Sequence, residues 1–288
     1  MSKCLLACAI GRTESAFVRI KTSGTGSPYT ITASRTVPLG ARDLEGKKQQ
    51  RALKKLASLT AEHKGEMLSL CYSSDIYLPL NAYFPAHASP ETRADYCRLE
   101  AVHFLNRPEE YLHDHVPCTG YCETDNLEKN LILFYRAEPL KTMSAQFAEN
   151  HPLHFCGSPL QPLVNLSVRK GVAVFLDLEN NHVTLTVASK GRAEYFSCRE
   201  ISNRREAEYF AIHELQNCNT RMQGPVQAGG FLADPTMIAL LERETSCRIV
   251  HPEIPDGIEF SGKTLSACRS TAGSRAMTTA LMDLEHRS

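Results

Sequence analysis

A mixed α/β chain built as two lobes is what this sequence predicts, and three observations predict it. Strand-like runs and amphipathic helical stretches alternate along the whole chain. The order of elements in the first half, three strands and then a helix, starts again near residue 171. At 288 residues the chain is long enough for two ordinary domains.

The elements follow in order. Cys4–Ile10, Ser15–Lys21 and Tyr29–Val37 read as three strands, the last two alternating polar and apolar positions. The Gly- and Ser-rich stretch 22–28 between them reads as a turn. A helix over 43–60 places Leu53, Leu56 and Leu59 on one face. Lys47, Lys48, Arg51, Lys54 and Lys55 make the remainder basic, which reads as a solvated face. Short strands are expected over 67–73 and 76–81, a helix over 91–105 started by Pro90, and strands at Tyr111–Val116 and Leu131–Tyr135. A short helix at 141–149 precedes a Pro-, His- and Gly-rich stretch, 151–162, read as the link between a lobe at 1–160 and a lobe at 161–288.

The second half opens with GVAVFLDL, HVTLTVAS and AEYFSCREI, three strands joined by tight turns. A helix over 204–218 carries Ala207, Phe210, Ala211, Leu215 and Cys218 in one stripe. A short strand leads into Gly229-Gly230, then a helix capped by Asp234 with Pro235 at its first position. CRIVHP is a further strand, and one last helix is expected over 263–284 with Ser261 as its cap.

Lys and Arg total 32 and Asp and Glu total 32, so no global basic field points to nucleic acid. The eleven cysteines are odd in number and irregular in spacing, which suits a reducing compartment with buried thiols such as Cys4, Cys8 and Cys71. No apolar run reaches the ~18 residues of a membrane span. The expected location is therefore cytoplasmic, with no direct membrane span.

The hairpin FLDLENNHVTLTVASKGRAEYFSCREIS, the helix RREAEYFAIHEL and the stretch AGGFLADPTMIALLERETSCRIVHP resemble the nucleotide half of the actin/Hsp70/sugar-kinase fold. More narrowly, they resemble the actin-like adaptors of pilus assembly and type II secretion, and a bacterial family with degenerate nucleotide loops. The opening hairpin AIGRTES is the matching piece of the first half. The resemblance implies two actin-like lobes, each on a mixed RNase-H-like sheet, with a hairpin from each clamping nucleotide phosphates. In that fold each hairpin carries an Asp that organises Mg²⁺ or water, then a Gly whose missing Cβ lets backbone N–H groups approach a phosphate.

Neither hairpin here is complete. The first keeps Gly11 and Thr13 but has Ala9 at the acidic position; the second keeps Asp177 but has Glu179 at the glycine position. A carboxylate ~4 Å from a phosphate costs about 4 kcal/mol per charge pair at an effective dielectric near 20. The resemblance thus implies a non-catalytic adaptor without a cofactor, holding a protein partner, a peptide of a membrane-assembly component. The alternatives it leaves open are an ATP- and Mg-binding protein of weak or no hydrolysis and a small-molecule kinase. Their nucleotide residues would be Gly11, Thr13, Asp177, Asn180, Asn181, Gly229 and Gly230. No Gly-x-Ser-x-Gly elbow or papain-like cysteine is present.

Two other constellations stand apart. His113, His115, Cys118 and Cys122 put four zinc-type ligands in ten residues, at a spacing of neither common knuckle form; a polar loop beside a strand is the competing reading. Ser261–Thr264 echoes the end of a phosphate-binding P-loop, and the four residues between Gly257 and Gly262-Lys263-Thr264 match the motif's spacing, but PEIPD precedes Gly257 where the motif has a strand.

Overall fold

The computed structural model describes residues 3–22, 29–44, 46, 49–122, 126–218, 224–261 and 265–286. The chain divides into two units: residues 1–75, 139–162 and 251–288 form the first, and 76–138 with 163–250 form the second.

In the first unit, β1 (Lys3–Ile10), β2 (Ser15–Thr22) and β3 (Tyr29–Val37) form an antiparallel meander. After α1 (Gln49–Ala57), β4 (Leu68–Tyr72) joins the free side of β1 in parallel. A strand in the middle of a sheet with both faces covered reads as a continuous apolar run, and Leu5 to Ile10 are all buried.

The second unit repeats the plan. β9 (Val172–Leu178), β10 (His182–Ser189) and β11 (Arg192–Glu200) form the meander. Lys190 and Gly191, both at positive φ (51° and 77°), close the second turn, as a two-residue hairpin requires. α5 (Arg204–Cys218) follows, then β12 (Val226–Gly229) parallel to β9, α6 (Pro235–Thr245), and β13 (Ile249–Val250) parallel to β12. The strand order β11-β10-β9-β12-β13 matches, in order and direction, β3-β2-β1-β4 and a fifth strand, β8 (Leu153–Gly157). The duplication read from the sequence is therefore one of topology.

Between β4 and β8 the chain inserts a layer of its own: β5 (Leu78–Pro85), α2 (Pro90–Phe104), β6 (Tyr111–Cys122) and β7 (Leu127–Arg136), with β7 in the middle. Ala82, Phe84, Cys97, Ala101, Leu105, Ile132 and Phe134 pack it together. α3 (Ala137–Ala148) returns the chain to the first unit.

Several expectations change. Contiguous halves divided at residue 160 differ from the units observed, for a physical reason. The inserted strands pair into the second sheet through Ala193 opposite Cys118. At the other end, α8 (Thr271–Glu285) packs back on β1, β2 and β4. The stretch 151–162 is not a plain link: it holds β8, whose alternation is diluted by His154 and Cys156, and the start of α4 (Leu160–Lys170).

The last helix is split. α7 (Leu265–Cys268) ends before Ser270, which caps α8 by accepting from the Gly273 N–H at 3.0 Å. Ser261 instead donates its backbone N–H to Ile31, extending the pairing of β14 (Ile258–Phe260) with β3. Helix 43–60 shortens to α1, because 41–44 is a 3-10 turn. Arg51, Lys54 and Lys55 face solvent and Ala52, Leu53 and Leu56 are buried, which favours the solvated-face reading; Lys47, Lys48 and most of the 22–28 turn lie outside the described residues. Cys8 and Cys71 are buried as expected, whereas Cys4 is half-buried. Burial and neighbouring Cys71 push the Cys8 thiol up to about 12, so it is inert as a nucleophile.

Two charged clusters fasten the units internally. In the first, Asp283 on α8 has a fully buried side chain, takes a bond from the Ser69 hydroxyl of β4, and lies 2.5 Å from His154 Nδ1 of β8. In the second, Glu128 on β7 receives Arg93 of α2 at 2.8 Å and Arg192 of the β10–β11 turn at 2.7 Å. Burial raises the Glu128 carboxyl, but the two guanidinium bonds outweigh it and hold it below its ordinary value.

A carboxyl with a lowered folded-state pKa stabilises above its unfolded value, about 4.3 for Glu, and loses that contribution as pH falls. Glu128→Gln should therefore lower the unfolding free energy at neutral pH by about 1–3 kcal/mol, and the gap from wild type should close below about pH 4. Urea unfolding at a series of pH values measures both.

Candidate functional site

The first hairpin closes through a tight turn. The Gly11 N–H donates to the Glu14 carbonyl at 2.9 Å, and the Gly11 carbonyl accepts from Ala41 at 2.8 Å. A Cβ on Gly11 would sit 2.8 Å from the Glu14 carbonyl oxygen, so the turn itself requires glycine. Thr13 is half-buried in this turn, and its backbone is backed so closely by Gly40 that a Cβ there would lie 2.4 Å from the Thr13 nitrogen.

Ala9, at the acidic position, pairs with Ala16 and Cys71 and is buried in the cluster that holds Ala272 and Ala276 of α8. Two residues missed at the sequence level, Glu14 and Arg275, adjoin this turn. Glu14 accepts from the Ala272 N–H at the start of α8, at 3.2 Å, where a helix favours an anion. Arg275, one turn along α8, is buried and donates to the Ser73 hydroxyl at 2.6 Å; its Nη1 lies 4.0 Å from where a Gly11 Cβ would be. A lone arginine in the small-residue run TAGSRAMTTALM was the available signal.

The second unit brings five expected residues together. Asp177 sits at the end of β9 opposite Thr184 on one side and Gly229 on the other. Glu179 is buried, and its N–H donates to the His182 carbonyl at 3.0 Å to close the turn. Asn180 is exposed; Asn181 is half-buried and its carbonyl accepts from Ile201 at 2.9 Å. Gly230 adopts φ +100°, and a Cβ would lie 2.5 Å from the Leu178 carbonyl oxygen. That oxygen accepts from the Leu232 N–H at 2.8 Å. The strand-to-helix crossing alone demands this glycine. Asp234 then caps α6 as expected, accepting from Met237 at 2.9 Å, and holds Arg204 of α5 by two bonds of 2.6 and 2.9 Å. The Arg204 guanidinium is the main cause that keeps the Asp234 carboxyl far below its ordinary value.

Among the described residues the zinc-type ligands do not converge. His113 and His115 lie on one face of β6 against Phe134 and Phe84, while Cys118 follows the buried parity of Asp114 and Val116. The Cys122 side chain lies outside the described residues, and among the described residues no three potential ligands cluster. Burial lowers the pKa of both histidines, as aromatic packing requires. Gly262, Lys263 and Thr264 of the P-loop echo lie outside the described residues.

Gly230→Ala should destabilise the protein by at least about 2 kcal/mol, through forced positive φ and the backbone clash together. Asn180→Ala, on an exposed turn residue, should stay within about 0.5 kcal/mol. Chemical denaturation of the two variants beside wild type measures this; equal stabilities would contradict the structural role given to Gly230.

No protein-family model matches the chain, and a comparison with curated proteins returns no match. Among solved structures it is similar to a chain of a PilM–PilN type IV pilus biogenesis complex, with TM-score 0.70 and 15% identity, covering 97% of this chain and 98% of that one. It is also similar to a protein of actin-like ATPase fold and unknown function from Bacteroides thetaiotaomicron, with TM-score 0.51, 10% identity and 96% of both chains covered. At these identities the likeness is one of fold. With two mixed sheets of matching strand order, the chain has an actin-like fold resembling that of the pilus-assembly adaptors.

Proposed function

We propose that this chain is a non-catalytic actin-fold adaptor that works in the cytoplasm and holds a protein partner, a peptide of a membrane-associated assembly. The observation that carries this reading is what has replaced the phosphate chemistry at each hairpin. On the first, the acidic position is an alanine committed to packing against α8, and the carboxylate of Glu14 takes the α8 N-terminus. On the second, a buried carboxylate, Glu179, stands where a phosphate would need a bare backbone. The Gly11 and Glu179 N–H groups, at the two glycine positions, each close their own turn. Among the described residues no helix is long and apolar enough to cross a membrane, so the partner is what would link this chain to a membrane assembly. The similar PilM chain is itself named for a complex with PilN.

One observation favours a second reading, retention of ATP with weak or no hydrolysis. Asp177 and Gly229 are direct partners on neighbouring parallel strands, at the carboxyl ends where α/β sheets receive ligands. Asn180, Asn181 and Gly230 are the other second-unit residues of that reading, and Gly11 and Thr13 its first-unit residues.

Thermal denaturation with millimolar Mg-ATP separates the two. A nucleotide present at 100 times its dissociation constant stabilises by about 2.7 kcal/mol. The adaptor reading expects no shift in wild type or in Asp177→Ala. A wild-type shift that Asp177→Ala abolishes would replace it with the nucleotide reading.

A further inference from the structure

Among the described residues seven large apolar side chains are exposed, and four of them, Tyr83, Leu99, Val102 and Phe104, lie on β5 and α2. That concentration marks the inserted layer as the place to look for an uncovered interface. β5 is also the end strand of its sheet. The other sheet ends are short, with two residues in β13, three in β14 and five in β8. β5 has eight residues, LPLNAYFP, none of them charged, and pairs with β7 without a register shift. Proteins usually protect such an edge with charges or bulges.

The prolines decide which groups the edge presents. The Ala86 N–H donates to Asn126, one step beyond the pair Pro85–Leu127. Even-numbered residues of β5 therefore turn their backbone groups to β7, and Pro79, Asn81, Tyr83 and Pro85 turn theirs outward. Proline has no N–H, so the outward donors of this stretch are Asn81 and Tyr83. Pro79 and Pro85 stand symmetrically about Ala82. Two copies pairing antiparallel about Ala82 would set Asn81 opposite Tyr83 of the other copy, and proline opposite proline. Each Asn81–Tyr83 pair exchanges two backbone bonds, the two-fold axis repeats the pair, and the prolines close the ladder at both ends.

The same two-fold keeps both α2 helices on one face of the joined sheet. Leu99 and Val102, three residues apart on α2, then have a second apolar surface to bury against. Asp95 and Arg98, in the turn before Leu99, pair within the helix at 2.5 Å, and the chain carries no net charge, so no net molecular charge opposes contact with a second copy.

We propose that the chain forms a homodimer by antiparallel pairing of its β5 edges, with the α2 helices packed beside the joint. Sedimentation velocity on the full chain over a concentration series tests it. The wild type should show a concentration-dependent dimer. Tyr83→Pro, which removes an outward N–H and the exposed Tyr83 ring without taking a backbone bond from β7, and the double variant Leu99→Glu/Val102→Glu should each weaken the dimer at least about tenfold. Tyr209→Lys, at an exposed aromatic on α5, should leave it unchanged, and circular dichroism should show every variant folded. A wild type monomeric up to about 100 μM, including one whose β5 edge captures an unlike peptide instead, would overturn the proposal. So would a dimer indifferent to both β5 and α2 variants.

Discussion

Much of the first unit depends on how closely α8 approaches the sheet beneath it. Ala7, Ala9 and Ala16 on β1 and β2 share one cluster with Ala272, Ala276 and Ala280 on α8. Small side chains on both surfaces allow a near approach of helix and sheet, and dispersion contacts reward it. Gly273 carries the constraint furthest, since a Cβ there would lie 1.9 Å from the Ala267 carbonyl oxygen of α7. The approach also explains why the chain's last 38 residues belong with its first 75: the third side of the first core comes from the far end of the sequence.

That packing and the missing carboxylate at residue 9 are one feature. An Asp at this position would put a charge into a dry cluster of alanines, at a cost of several kcal/mol unless paired. Once the position is given to packing, the metal-organising oxygen is gone. The turn beside it has been refitted accordingly, with Glu14 on the α8 N-terminus and Arg275 on Ser73. The second hairpin changed differently. Asp177 kept its place beside Gly229, and the change fell on the turn, where Glu179 is buried.

The strand–strand–strand–helix repeat was legible because its signals are local. CLLACAI, HVTLTVAS and the stripe Ala207–Cys218 each declare their period within a dozen residues. The insertion was legible as elements but not as a layer, because nothing local in Leu127–Arg136 says that β7 sits between β5 and β6. β8 was missed because His154 and Cys156 occupy its exposed alternate positions, weakening the apolar signal of a five-residue strand. The break between α7 and α8 was missed because Ser270 caps a helix in a run already rich in Ser and Thr, where one serine does not stand out.

At the candidate site the sequence showed which residues were absent but not why. Ala9 and Glu179 were visible as departures from a pattern, whereas Glu14 and Arg275 were not, because their meaning lies in contacts 258 and 202 residues apart in the chain. Gly230 makes the converse point. It matched the pattern, yet its φ of +100° and the nearby Leu178 carbonyl explain it without a ligand. A residue that fits a binding motif is informative only after the backbone's own demand for it has been subtracted. Applied to this hairpin, that subtraction removes Gly230 and leaves Asp177, whose position opposite Gly229 follows from strand register but whose carboxylate does not. The choice between adaptor and nucleotide binder therefore turns on that side chain more than on the glycines around it.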